Sequence, residues 1–286
     1  MTKTLNTIIA SFICITAQLA TVVPVTASTQ QVALPEQVLV PGGIAIVGIP
    51  NYERGMLVKY NNERAAVLAY KDSWIALGGI PLSAKAGDEH VFSIRYTNGV
   101  TLNTAIKIKA KQFPEQRLTI KNKRKVNPNA EDLKRISTER IRKRKAKSHW
   151  SEPNPVFDFI WPVEGRTSST FGLRRFFNDQ ERRPHSGLDI AAAEGTPVKA
   201  TSGGTVIEAG DFFFSGNMVY IDHGQGIISL YAHLSKINVE PGDVIKQGDI
   251  IGAVGQTGRV TGAHLHFAIL ANKTLIDPLY VLSEKK

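Results

Sequence analysis

Residues 262–270 read Gly262-Ala263-His264-Leu265-His266-Phe267-Ala268-Ile269-Leu270, and the backbone they adopt decides how the C-terminal half is read. On a helix, histidines at i and i+2 diverge by about 200°, whereas on a strand they share one face. The apolar composition favours a strand. His264 and His266 then point one way, and Leu265 and Phe267 enter the core. Two imidazoles side by side on a sheet are costly to bury without a partner, and a metal is the commonest one.

The surroundings agree with a strand. Residues 151–286 hold 16 of the 24 glycines and five of the seven histidines, with short apolar runs separated by Gly203-Gly204, Ser215-Gly216, His223-Gly224, Pro241-Gly242 and the 255–258 turn. Closely spaced strands of this kind predict a mainly β fold, a compact sandwich or barrel-like domain with no long helix. Two further fragments carry chemistry. In His185-Ser186-Gly187-Leu188-Asp189, Pro184 and Gly187 argue against a helix, and in extended backbone the i, i+4 pair shares a face. Alone, this match is weak. His233 interrupts the apolar run Leu230-Tyr231-Ala232-His233-Leu234, and alone it reads as a core or turn histidine. Together the fragments offer two histidines and a carboxylate, a three-ligand catalytic zinc set with a fourth position for water, whose pKa zinc lowers to about 7. Two more histidines remain to handle protons and the charge that builds on an attacked carbonyl.

In order and spacing, His185-Ser-Gly-Leu-Asp189, Tyr231-Ala-His233-Leu and Gly262-Ala-His264-Leu-His266-Phe267 resemble the M23 metallopeptidases, the lysostaphin-like family of peptidoglycan endopeptidases. Phe171-Gly172-Leu-Arg174, Gly195-Thr-Pro197-Val, Gly203-Gly204-Thr-Val206 and Ile221-Asp-His223-Gly224 support the likeness, which covers roughly 157–281. The resemblance implies a compact β domain with zinc held by His185, Asp189 and His266, and His233 and His264 as the catalytic pair. It leaves His223 a structural role. Ala263 stands where the family commonly has proline, and Ala268 where an acid often follows; neither is a ligand position. The implied reaction is attack of metal-activated water on a peptide carbonyl, with His233 or His264 taking the proton and the other steadying the oxyanion. The implied substrate is the peptide cross-link of peptidoglycan. The bond between D-alanine and diaminopimelate is preferred to glycyl bridges, because the N-terminal region does not resemble the wall-targeting modules of glycyl-specific lysins.

The remainder of the 286-residue chain bounds this reading. Lys3, the apolar stretch from Ile8 to Val23 and Val25-Thr26-Ala27 form a signal-peptide pattern over 1–27, cut after Ala27. Thr16, Gln18, Thr21 and Pro24 break the run below the roughly 20 apolar residues of a membrane span, so no stable transmembrane anchor is expected. The single cysteine, Cys14, lies within it, which removes disulfides, thiolate ligands and a cysteine nucleophile from the rest of the chain. Export to the periplasm or cell envelope follows from the signal. Residues 28–122 read as a β-rich N-terminal domain, with a two-residue hairpin turn at Asn98-Gly99 between Phe92, Ile94 and Tyr96 on one side and Val100 and Leu102 on the other. His90 stands alone and is read as structural or solvated and not as a ligand.

Residues 123–150 read as a basic linker helix, N-capped at Asn129, with Asp132 three residues on and Leu133 and Ile136 at helical spacing. From 105 to 150 there are 16 Lys or Arg against 4 Asp or Glu, so the net charge of +10 is concentrated there. Such a run binds polyanions non-specifically. In an exported chain it points to anionic envelope polymers and not to nucleic acid. The N-terminal region is expected either to restrain the catalytic domain or to place it on its substrate. Two rival readings exist: a non-enzymatic regulator that keeps the fold, opposed by the complete ligand set, and a carrier domain suggested by Gly203-Gly204-Thr-Val206 and Gly248-Asp-Ile-Ile251-Gly252. A carrier domain needs a lysine displayed at a hairpin tip between those phrases in a characteristic setting, and no lysine there has that setting.

Overall fold

The computed structural model describes residues 34–284, apart from 154 and 156. Residues 1–27, read from sequence as a signal peptide, lie outside the described residues. Among these, no helix is long and apolar enough to cross a membrane.

Nearly every element is a strand. The largest sheet runs, in spatial order, Val244–Ile245, Gly204–Phe212, Gly216–Asp222, Ile227–Ile237, Leu265–Ala271, Leu188–Ala191 and Arg166–Ser169; Pro197–Lys199, Ile250–Val254 and Thr274–Ile276 attach to it. Its central strands follow the expected alternation: Leu265 and Phe267 are fully buried, while His266 between them reaches the half-buried face. Short glycine turns let consecutive strands pair antiparallel, and Gly216 at φ +58° takes the left-handed conformation that a side chain disfavours.

Three smaller sheets precede or flank it. Ile44–Ile49, Ser73–Gly79 and Ala66–Tyr70 form one, and Glu63–Arg64, Leu57–Tyr60, Glu89–Arg95 and Thr101–Lys107 form another. In the second, Tyr96 N donates to Val100 O at 2.8 Å, so the hairpin loop is Thr97-Asn98-Gly99, one residue longer than the turn expected from Asn98-Gly99. Gly99 takes φ +88°, the left-handed position that ends a three-residue hairpin. His90 is buried against the Tyr60 hydroxyl at 2.7 Å, a structural setting.

The first of these sheets shares its core with the large one. Ile44, Leu68 and Leu77 belong to the same buried cluster as Phe267, Ile269 and Ile276. A Cβ on Gly79 would lie 2.8 Å from Ala271 O, so glycine permits that close approach. The Gln225 side chain accepts from Val67 N at 2.7 Å and donates to Val67 O at 3.0 Å, completing an otherwise open backbone edge. The described residues accordingly form one compact unit.

The basic segment divides into a 3-10 turn, Lys123–Lys125, and a helix, Ala130–Lys147, closed at its start by a reciprocal capping box between Asn129 and Asp132. Leu133 is 55% exposed, so the helix does not dock through the apolar spacing read from sequence. It docks through charge and one small residue. Glu139 accepts from Phe213 N at 2.9 Å, Arg142 Nη2 donates to Glu208 at 2.6 Å, and Ala146 packs against Phe212, Met218 and Tyr220.

Candidate metal centre and active site

Three adjacent strands set the site. Asp189 on Leu188–Ala191 lies directly opposite His266 on Leu265–Ala271, and His266 lies opposite Ala232 on Ile227–Ile237. His185 joins them from the loop before the first strand, its backbone anchored by Gly172 N to His185 O and His185 N to Leu173 O, both 2.8 Å. Gly187 makes room. A Cβ there would stand 2.4 Å from Phe267 O and 2.8 Å from His266 Cε1.

Three ligand atoms converge. His185 Nε2 is 2.9 Å from Asp189 Oδ1 and 3.1 Å from His266 Nδ1, and His266 Nδ1 is 2.7 Å from Asp189 Oδ1. Among the described residues, this is the one group of three potential ligands close enough to share a metal. The donor chemistry tests whether a metal fits. His185 Nδ1 donates to Thr170 O at 2.7 Å, so the neutral ring presents its Nε2 lone pair to the site. Burial, opposed by the hydrogen bond to Asp189, pushes the His185 pKa down to about 4, which keeps that ring neutral at pH 7. Burial would raise Asp189, but its close contacts with His185 and His266 hold it well below the usual carboxylate range. A neutral nitrogen lone pair and an ionised oxygen thus face each other within contact distance, an arrangement that a shared cation resolves. Two imidazoles and a carboxylate suit zinc.

The other two histidines stand beside this set. His233 falls where Ala232 and His233 together oppose Met218, a bulge in the pairing with Gly216–Asp222, and its φ of +65° is uncommon for a residue with a side chain. The bulge turns the ring toward the metal set: its centroid lies 4.9 Å from that of His264 and 6.0 Å from that of His266. His233 Nδ1 donates to Thr257 O at 2.8 Å and His264 Nδ1 to Gly262 O at 2.9 Å, so each ring, when neutral, keeps an Nε2 lone pair. His264 Nε2 is 3.9 Å from Asp189 Oδ1. Burial, and then the neighbouring His266 and His264, push the His233 pKa down to about 3. His223, by contrast, is buried with Nδ1 on Gly203 O at 2.7 Å and Nε2 on Ser229 Oγ at 2.8 Å, away from the five.

Two residues not singled out from sequence complete the surroundings. Arg175 Nη2 donates to Asp189 Oδ2 at 2.7 Å, and Arg175 Nε donates to Gln116 Oε1 at 2.9 Å. Gln116 arrives because Glu115–Leu118 pairs in parallel with Arg174–Phe177, and it donates onward to Ser169 Oγ at 2.6 Å. A 260 Å³ cleft lined by Gln116, Arg175, Asp189, His233 and His264 lies above this network.

Comparison with known proteins places this site. Residues 183–278 match Peptidase family M23, and residues 38–122 match the Peptidase family M23 N-terminal domain. A crystal structure of a peptidase M23 from Pseudomonas aeruginosa is 35% identical and superposes with a TM-score of 0.72 over 86% of this chain and 95% of that one. The chain belongs to peptidase family M23. Within this M23 chain the likeness to these curated proteins covers less than half of the residues. It is 42% identical over 119 residues to the DD-carboxypeptidase/endopeptidase Mpg of Neisseria meningitidis, and 42% identical over 113 residues to the peptidoglycan DD-endopeptidase ShyA of Vibrio cholerae. Those matches take in 42% and 38% of this chain but only 27% and 26% of the two relatives, so this M23 chain spans about a quarter of their length.

Proposed function

We propose that the protein is a zinc-dependent endopeptidase that cuts peptide cross-links of bacterial peptidoglycan at the bond between D-alanine and diaminopimelate. The observation that carries the reading is the convergence of His185 Nε2, Asp189 Oδ1 and His266 Nδ1 beneath two further histidines with free Nε2 lone pairs. His185, Asp189 and His266 would hold the zinc. Bound there, zinc supplies a Lewis acid that makes water nucleophilic near neutral pH and polarises a carbonyl. Arg175 keeps the second oxygen of Asp189 occupied, so its first oxygen stays aimed at the metal position. His233 and His264 form the catalytic pair. A neutral ring with Nδ1–H tied to a carbonyl can take a proton at Nε2 as the nucleophile attacks, and the ring so charged can return it to the leaving amine. Its partner, when protonated at Nε2, offers a hydrogen bond to the developing oxyanion.

Relatives named DD-endopeptidases support a bond between two D-centres as the target. The signal-peptide pattern over 1–27 and the wall substrate of those relatives support export to the periplasm or envelope. Digestion of purified cross-linked muropeptides, with the new ends identified by mass spectrometry, tests the reading. Hydrolysis should stop in excess chelator and return with added zinc, and activity undiminished by chelator would sink it.

A further inference from the structure

On the side of the metal set facing the helix, a 310 Å³ cavity is lined by His185, His233 and His266 and also by Lys143, Lys147, Arg183 and Arg259. A larger 640 Å³ cavity shares those four cations and continues along the helix past Arg140 and Arg144. One acid, Glu139, lines the larger cavity, and it is already committed: it accepts from Arg135 Nε at 2.6 Å and from Phe213 N at 2.9 Å. Among the described residues, none of the four cations forms an ion pair. Lys143 Nζ donates to Ser215 Oγ at 2.9 Å, which leaves two of its protons unassigned. Arg259 stacks between Phe177 and Phe214, at 4.6 and 4.5 Å, an apolar clamp that fixes the guanidinium plane without neutralising it.

Lys143, Lys147 and Arg259 are half-buried and Arg183 is exposed, and like charges held half-buried beside one another oppose folding. Burial, then the nearby cations Lys147, Arg259 and Arg142, brings the Lys143 pKa down to about 8, although Glu139 pulls the other way. Burial, followed by Arg175 and Arg182, brings Arg259 down to about 10. A fold that keeps such a cluster beside a reactive site has an anion to receive.

We infer that this groove is a substrate subsite, in which Lys143, Lys147, Arg183 and Arg259 bind free carboxylates on the peptide strand next to the bond being cut. The inference rests on the endopeptidase reading above. The shared wall argues for a peptide over a phosphate polymer: the cations and the metal-site histidines line one cavity, so its occupant is continuous with whatever reaches the metal. Fork-shaped guanidinium and ammonium groups both pair well with carboxylates, and in a half-buried groove such pairs are weakly screened.

Two synthetic cross-linked muropeptides, identical except that one has its free carboxylates amidated, test this on the zinc-loaded full-length protein. KM should be about 10-fold higher or more for the amidated form, the usual weight of one charge-assisted hydrogen bond, with kcat changed far less. A double variant, K147Q with R183Q, should raise KM for the free-carboxylate form and shrink the difference between the two. Calorimetric binding of the pair to chelated protein should show the same preference without turnover. Equal KM and equal binding for the two forms, with hydrolysis intact, would overturn the subsite and leave the endopeptidase standing. Hydrolysis of neither form would remove both. Poly(glycerol phosphate) binding at the groove while the muropeptides bind alike would assign it to a phosphate polymer and overturn the inference.

Discussion

Asp189 and His266 are paired residues on neighbouring antiparallel strands, and their facing atoms, Oδ1 and Nδ1, lie 2.7 Å apart. Two strands of one sheet therefore fix two of the three ligand atoms, and the site is as rigid as the sheet that carries it. His264 stands just before the same strand as His266, yet it lies outside this contact.

That difference separates the two histidines experimentally. His266→Ala removes one of three protein ligands, and the protein should lose most of its zinc together with its activity. His264→Ala should retain near-stoichiometric zinc and lose about 10²-fold or more in rate. Elemental analysis beside turnover reads both. A His264→Ala protein without metal, or a His266→Ala protein that keeps it, reverses the roles.

Arg175 should act on the metal through Asp189. With Arg175→Gln the carboxylate loses the 2.7 Å partner of its second oxygen and is free to turn from the metal position. Loss of such an orienting partner typically costs about 10- to 100-fold in metal affinity or activity. Zinc affinity measured against a chromophoric chelator gives the outcome. Unchanged affinity would reduce Arg175 to a surface contact.

Acid should destabilise the metal-free protein well above the range where carboxylates protonate. Burial depresses the pKa of His185 to about 4 and of His233 to about 3, and it also lowers His223. An unfolded histidine titrates near 6.5, so below that pH the unfolded chain binds more protons than the folded one. The stability these residues contribute is whole above about pH 6.5 and is lost as pH falls toward their folded values, at up to about 1.4 kcal/mol per pH unit for each proton. Asp189, held low, keeps its contribution through that window and loses it only in stronger acid. The Tm of chelated protein should drop between pH 7 and 5, and a flat profile would contradict the buried neutral histidines.

Much of the site is legible in the sequence because it obeys local periods. His264, Leu265, His266 and Phe267 alternate as a strand demands, and Asn129 with Asp132 announces the helix start that the capping box provides. Gln116 and Arg175 leave no such trace: their contact depends on a parallel pairing across 59 residues, and no period in either segment encodes it. Nor does Leu230-Tyr231-Ala232-His233 reveal that His233 sits in a left-handed bulge. The Asn98-Gly99 hairpin was readable as a hairpin, while its loop length turned on whether Val100 pairs with Thr97 or with Tyr96, and the residue types permit either.

The shared core bears on how the N-terminal region works. Read from sequence, residues 28–122 form a separate β domain that restrains or places the enzyme, and a fragment of residues 151–286 would report which. In the folded chain Ile44, Leu68 and Leu77 are buried in one cluster with Phe267, Ile269 and Ile276, and the Gln225 side chain is tied to both polar groups of Val67. Cutting at 150 exposes the partners of those side chains, each worth about 1.5–3 kcal/mol when buried, against a total stability of about 5–15 kcal/mol for an ordinary domain. It also removes Gln116 from Arg175. The 151–286 fragment should therefore melt far below the chain that retains residues 28–150, or aggregate, and any activity it keeps should fall with its fraction folded. Calorimetry on both proteins decides. A fragment with the Tm of the longer chain would mean that the shared cluster contributes little, and a rate difference between the two could then be read as restraint or placement.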